Sequence, residues 1–149
     1  MIYVDADSMP GQAAEVLYAA AIRRQAPVLL VACRYFRPHP NPLIQSRVCD
    51  TGPDAADDLI VELVLPGDLV ITHDIPLADR VITKQAQALS PRGVEFLPAN
   101  IKQRLGVRDM LEEIRSSGGI TSGPPPFSAR DREQFANAVD RYLTRLKKG

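Results

Sequence analysis

Aspartates recur in this sequence wherever an apolar run gives way to a helical pattern. Asp5 and Asp7 follow the run Ile2–Val4, and Asp74 ends the stretch DLVITHD at 68–74. A third group lies between them, in the turn and first helical residues of GPDAADDLIV: Asp54, Asp57 and Asp58. Carboxylates in such places can cap a helix, bind a metal ion or act as nucleophiles.

The elements around these aspartates predict an α/β fold. Apolar runs predict strands at 2–4, 28–33, 46–51, 68–74 and 94–97. Helical patterns occupy residues 10–25 and the whole of 75–89. A further helical pattern begins after the turn at 52–54 and ends at Pro66-Gly67. Strands that alternate with helices favour a mainly parallel central sheet covered on both faces. The carboxyl ends of parallel strands meet at one edge, where ligands bind.

The middle group of aspartates is divided by helix geometry. At about 100° per residue, Asp57 lies at the margin of the apolar stripe, whereas Asp54 and Asp58 point away from it. We expect Asp57 to lean over the sheet edge and Asp58 to be solvated. Asp54 is expected to cap the helix, to complement its dipole or to line the rim of the edge.

Carboxylates gathered at one sheet edge repel one another and raise one another's pKa unless a cation is present. Ligand sets made only of oxygen suit Mg²⁺ or Mn²⁺. A single Asp at such a junction is more often a cap than a ligand. Because the pattern recurs at three junctions of one sheet, the sequence predicts a metal-binding acidic site.

Composition places the chain among globular proteins. Its 149 residues predict one domain, and its 18 basic and 18 acidic residues create no global field for nucleic acid or membrane. No apolar run approaches the roughly 20 residues that span a bilayer, and no secretory signal is recognised, so a cytoplasmic location is expected. Cys33 and Cys49 lack CxxC spacing, and two buried free thiols in a reducing cytosol are expected.

The last part of the chain predicts an appended helix. A core over 1–117 would contain a helix from Ile101 to about Arg115 that Asn100 caps, and a Gly/Pro-rich linker follows over 118–127. Ser128 and Asp131 form a capping box for an amphipathic helix over 128–148, which should pack on the body or on a partner chain. A homo-oligomer is therefore left open.

Several motifs together resemble one protein family. These are DADSMP, GPDAADDLIV, GDLVITHDIPLADR, SPRG, the Arg108-Asp109 pair and SGPPPF. On these residues the chain is identified as a member of the YaiI/YqxD family of bacterial proteins of unknown function, a group similar to PIN-domain nucleases. The resemblance implies a three-layer PIN-like fold whose acidic residues bind Mg²⁺ or Mn²⁺ for phosphodiester hydrolysis.

The resemblance also implies a ligand set. Asp5 matches the acid of the first strand, Asp57 the acid of the helix, and Asp74 the last residue of a T-x-D motif. Further acids are expected as accessories, namely Asp7, Asp54 and Asp79. The bound ion would activate a water molecule and neutralise charge on the scissile phosphate.

Substrate contacts are expected to come from a basic and aromatic stretch. Arg34-Tyr35-Phe36-Arg37, with Arg47 further on and Thr72 at the sheet edge, suits RNA or another single-stranded nucleic acid. An ordinary solvated loop remains the alternative for this stretch.

Two other functions are compatible with parts of the sequence. Asp5-Ala6-Asp7 resembles the D-x-D motif of haloacid-dehalogenase phosphatases, but that family needs a Lys before its late acids and the first Lys here is Lys84. The second alternative is a PIN-like scaffold that binds RNA or a protein without catalysis.

Overall fold

A computed structural model describes residues 1–33, 39–49, 54–107 and 126–148 of the chain. Six strands lie in these residues: β1 (Ile2–Asp5), β2 (Val28–Ala32), β3 (Ile44–Val48), β4 (Leu69–Ile71), β5 (Gln87–Leu89) and β6 (Glu95–Phe96). They form one sheet in the order β3-β2-β1-β4-β5-β6. The first five strands of that order run parallel, and β6 pairs antiparallel with β5.

The helices of the described residues are α1 (Gly11–Arg24), α2 (Ala55–Leu63), α3 (Ile75–Thr83), α4 (101–107) and α5 (Ala129–Lys148). A short 3₁₀ helix, Ala6–Ser8, joins β1 to α1. The remainder of the helix predicted from Ile101, at 108–115, and most of the predicted linker, at 118–125, lie outside the described residues. Asn100 stands at the start of α4, where its carbonyl accepts a hydrogen bond from the backbone N–H of Arg104 at 3.1 Å, and its Oδ1 accepts one from the backbone N–H of Leu97 at 3.0 Å.

The sheet is covered on both faces, which makes three layers. Alternate residues of β1 divide between the two cores: Ile2 and Val4 pack with α1 and α5, whereas Tyr3 packs with α2 and α3. This division follows from the strand period of two residues, which sends successive side chains to opposite faces. The predicted class, an α/β fold with a mainly parallel sheet flanked by helices and a C-terminal helix, is confirmed.

The C-terminal helix α5 completes one of these cores. Phe135 and Tyr142 are buried in it, and the Tyr142 hydroxyl donates a hydrogen bond to the carbonyl of Gly67, 3.0 Å away. The predicted capping box is present: Ser128 Oγ accepts from Asp131 N at 3.1 Å, and Asp131 Oδ2 accepts from Ser128 N at 3.0 Å. The capping box therefore closes the first turn of the helix, and Tyr142 joins its second half to Gly67.

The prediction of one helix over 75–89 is wrong. Helix α3 ends at Thr83, and Gln85 has a φ of 68°, in the left-handed region that breaks a helix. The backbone N–H of Gln87 then donates to the carbonyl of Asp68 at 2.8 Å, which starts the pairing of β5 with β4. Residues with good helix propensity thus form a strand because pairing and burial outweigh a weak local preference.

The strand order places a topological switch point between β1 and β4. From β1 the chain moves outward through β2 and β3 on one side, and it then returns to build β4 and β5 on the other side. In open α/β sheets a crevice forms beyond the carboxyl ends of the strands at such a point. The residues that follow β1 and β4 therefore face the preferred ligand position of this fold.

Candidate functional site

A threonine hydroxyl links the ends of the two strands at the switch point. Asp5 closes β1 with only 8% of its surface exposed, and Thr72, directly after β4, is fully buried. Thr72 Oγ1 donates a hydrogen bond to Asp5 Oδ2 at 3.0 Å and accepts one from the backbone N–H of Asp74, also at 3.0 Å. The hydroxyl therefore fixes the orientation of the Asp5 carboxylate and joins it to the turn that carries Asp74.

Asp74 stands at the N-cap of α3. Its Oδ1 accepts a hydrogen bond from the backbone N–H of Leu77 at 3.1 Å, and Pro76 lies in the first turn, where its missing N–H costs nothing. The cap holds the carboxylate at the sheet edge and at the positive end of the helix. Asp74 therefore caps a helix, which is the role that a single Asp at a strand-to-helix junction usually has.

Asp57, in the first turn of α2, is the third carboxylate of this region. Its pKa is raised from the ordinary 3.8 to about 7, chiefly by burial and then by the negative charges of Asp74, Asp5 and Asp54. The positive charge of Arg80 opposes the rise. Asp57 is therefore within electrostatic reach of the acids that end β1 and follow β4.

Arg80 was not singled out by the sequence. It lies on α3, and its Nη1 forms an exposed ion pair with Asp58 Oδ1 at 2.9 Å. Asp58 is therefore solvated, as expected, and its pairing brings a cation near Asp57. No local signal identifies this arginine, because its neighbours come from a different helix.

The expected accessory acids have separate environments. Asp79 forms an ion pair with Lys102 at 2.9 Å, and Asp54 takes the N-cap position of α2 with a φ of 67°. The side chain of Asp54 makes no capping hydrogen bond, so the expected hydrogen-bonded cap is wrong, while its charge lies at the start of the helix and acts on Asp57. Asp7 is exposed in the 3₁₀ helix, and α1, which begins at Gly11, has Pro10 as its N-cap and no side-chain cap.

The expected substrate contacts are only partly described by the structure. Arg34 and Arg37 lie outside the described residues. Arg47 is exposed on β3, the edge strand of the sheet. Thr72 is fully buried, so its contribution is to orient Asp5. Beside the end of β1, an opening of about 170 Å³ is lined by residues that include Asp7, Met9 and Tyr18.

The donor chemistry of this region fits a hard divalent cation, because Asp5, Asp57 and Asp74 offer only carboxylate oxygens. Within the described ranges, no group of three or more His, Cys, Asp or Glu side chains is arranged to hold a metal ion. Magnesium sites commonly use one or two carboxylates, with water and substrate phosphate as the remaining ligands.

No helix in the described part of the chain is long and apolar enough to cross a membrane.

Comparison with known proteins gives a family and no further biochemistry. The profile of the family described as "Uncharacterized BCR, YaiI/YqxD family" matches residues 3–145. A "UPF0178 protein" of Shewanella amazonensis is 51% identical over 147 residues, which cover 99% of each chain. Proteins of the same name from Paraburkholderia phytofirmans and Aeromonas salmonicida are 50% and 47% identical, covering 98% of this chain and 88% and 97% of theirs. No solved structure matches the chain. The chain therefore belongs to the YaiI/YqxD family, as its motifs predict.

Proposed function

We propose that this protein is a metal-dependent phosphodiesterase that cleaves RNA or another single-stranded nucleic acid, with Asp5, Asp57 and Asp74 as its acidic site. The observation that carries the proposal is the hydrogen-bonded link between Asp5 and the Asp74 turn through Thr72, at the switch point of the sheet. A ligand site is favoured there by topology. The likeness of the family to PIN-domain nucleases supplies the reaction class.

Each residue of the acidic site has a distinct task in this proposal. The Thr72 hydroxyl holds one oxygen of Asp5 in place, and the α3 cap holds Asp74, so two carboxylates are fixed before any ligand arrives. Mg²⁺ or Mn²⁺, when bound, would activate water and neutralise charge on the scissile phosphate. Asp57, whose pKa is raised to about 7 while the carboxylates face one another without a cation, would be held in its ionised form by the bound ion and add a third carboxylate to the site.

The phosphatase alternative has less support. A phosphoaspartate mechanism needs a lysine near the nucleophile, and Lys84 lies at the opposite end of α3 from Asp74. Its Nζ donates a hydrogen bond to the carbonyl of Val61, 2.5 Å away, in the last turns of α2. This lysine is therefore used to join two helices at the far end of the fold.

The proposal is tested by incubating purified protein with mixed-sequence single-stranded RNA in Mg²⁺ or Mn²⁺. We expect cleavage by the wild type, loss of cleavage in an Asp5→Asn/Asp74→Asn double variant, and full cleavage by Asp58→Asn. The Asp58 variant is a matched control, because it removes a carboxylate of the same region that is exposed and ion-paired.

Three results would contradict the proposal. Equal cleavage by the double variant would show that the activity is contamination. RNA binding without cleavage by the wild type would favour the non-catalytic scaffold. Release of phosphate from a small phosphomonoester, lost in Asp5→Asn, would favour the phosphatase.

A further inference from the structure

Two cysteines lie side by side at the carboxyl edge of the sheet. Cys33 directly follows β2, Cys49 directly follows β3, and their Sγ atoms are 2.8 Å apart. Both are free thiols, as expected, but each is only partly buried, which corrects the expectation of two buried thiols. Small oxidants in solvent can therefore reach the pair.

The backbone already has the geometry of a cross-link. The parallel register pairs Ala32 with Val48, and the backbone N–H of Cys49 continues the ladder by donating to the carbonyl of Ala32 at 2.8 Å. Residues at matching positions on adjacent strands are about 4.8 Å apart. Disulfides span Cα separations of about 4.4–6.8 Å, so the spacing of adjacent strands lies within the range that a bond between Cys33 and Cys49 needs.

We propose that Cys33 and Cys49 form a reversible dithiol site that a hydroperoxide oxidises to an intrachain disulfide. This proposal is independent of the nuclease function, because neither thiol belongs to the acidic site. In the first step one thiolate attacks the peroxide, forms a sulfenic acid and releases hydroxide. In the second step the other thiol displaces the sulfenic oxygen as water, so two thiols and one hydrogen peroxide give one disulfide and two waters.

The surroundings of the pair assign the first attack to Cys33. Cys49 Sγ donates a hydrogen bond to the carbonyl of Ala32 at 3.2 Å and is thereby held as a thiol. Burial raises the pKa of Cys49 in the same direction. Only a thiolate attacks peroxide, so the hydrogen bond that holds Cys49 as a thiol favours Cys33 as the nucleophile and Cys49 as the resolving thiol.

The test treats the purified, reduced full-length protein with a small excess of hydrogen peroxide and follows its thiol titre and intact mass. We expect both thiols to disappear together, a mass loss of two hydrogen atoms, and full recovery with dithiothreitol. A final product that keeps added oxygen atoms, that retains one free thiol, or that consists of disulfide-linked dimers would overturn the proposal.

Matched single variants test the order of the two steps. Cys49→Ser, which retains Cys33, should react with peroxide several-fold faster than Cys33→Ser, because the hydrogen bond to the Ala32 carbonyl holds Cys49 in its thiol form. Both variants should gain oxygen instead of losing two hydrogen atoms. Equal or reversed rates would refute the assignment of Cys33 as nucleophile. If a variant does not fold, the mass and thiol titre of the wild type still decide whether the disulfide forms.

Discussion

Replacing Asp57 by asparagine should stabilise the fold at neutral pH. In the folded protein the pKa of Asp57 is about 7 instead of 3.8, so its ionised form is disfavoured by folding. At about 1.4 kcal/mol per pH unit, a rise of this size corresponds to an upper bound of roughly 4 kcal/mol. Because Asp57 is partly exposed and water screens its charge, we expect Asp57→Asn to raise the free energy of unfolding by about 2 kcal/mol.

The sign of this effect sets its pH dependence. Below about pH 4, Asp57 is protonated in both the folded and the unfolded chain, so its charge makes no difference to stability. Between about pH 4 and pH 7 the unfolded chain loses the proton first, and wild-type stability falls as pH rises. Above about pH 7 Asp57 is ionised in both the folded and the unfolded chain, and the loss of wild-type stability is complete. The extra stability of Asp57→Asn therefore grows between about pH 4 and pH 7 and then stays constant.

Urea denaturation in buffers free of divalent cations measures the effect, at pH values below, within and above this window. Asp58→Asn is the matched control: it neutralises the next residue of α2, which is exposed and paired with Arg80 at 2.9 Å. Removing that pair should cost less than about 1 kcal/mol. An Asp57→Asn protein that is no more stable than wild type above pH 7 would refute the raised pKa of Asp57. Added Mg²⁺ should stabilise the wild type more than this variant if the cation binds at Asp57.

Three further substitutions test the framework of the site and of the fold. Thr72→Val removes the hydroxyl that bonds Asp5 and should cost about 1–3 kcal/mol in urea unfolding, whereas a loss below about 0.5 kcal/mol would refute its linking role. Gly93→Ala should lower the free energy of unfolding by about 2–6 kcal/mol in calorimetry, because φ is +88° and a Cβ would lie 2.5 Å from the backbone of α5. Gly11→Ala is its control, because a Cβ at Gly11 would have nothing within 4 Å. Equal losses of stability in the two variants would contradict a close contact at Gly93. Ser128→Ala should cost about 0.5–2 kcal/mol and speed amide exchange at the start of α5, and unchanged exchange there would argue against the cap.

The layered fold could be predicted because its strands are apolar on both faces. The run Val28–Ala32 has no polar residue, which indicates a strand buried between two helical layers, and the parallel sheet follows. The position of Asp5 at the sheet edge follows in turn, since the first residue past a buried strand lies at its carboxyl end. Strand β5 could not be predicted in the same way, because Gln87–Leu89 lacks β-branched residues and becomes a strand only by pairing with β4.

The connections within the site could not be predicted from local pattern. The hydrogen bond from Thr72 to Asp5 joins residues 67 positions apart, and it depends on the sheet register. The balance of charges at Asp57 depends on Asp74 and Arg80, which α3 supplies. Sequence spacing identified the three carboxylates as candidates, while their coupling required the packing of α2 against α3.

The position of α5 has a consequence for synthesis of the chain. Ile2 and Ile71, from the centre of the sheet, share one core with Phe135 and Tyr142 of the last helix. At about 5–20 residues per second, a ribosome needs roughly 3–15 seconds to pass from β4 to this helix. During that interval only α1 covers this face of the nascent sheet, so apolar surface that α5 buries in the folded protein is exposed to chaperones and to other chains. A stop codon shortly before α5 should therefore yield an aggregating product, even though every strand and every carboxylate of the acidic site has been made.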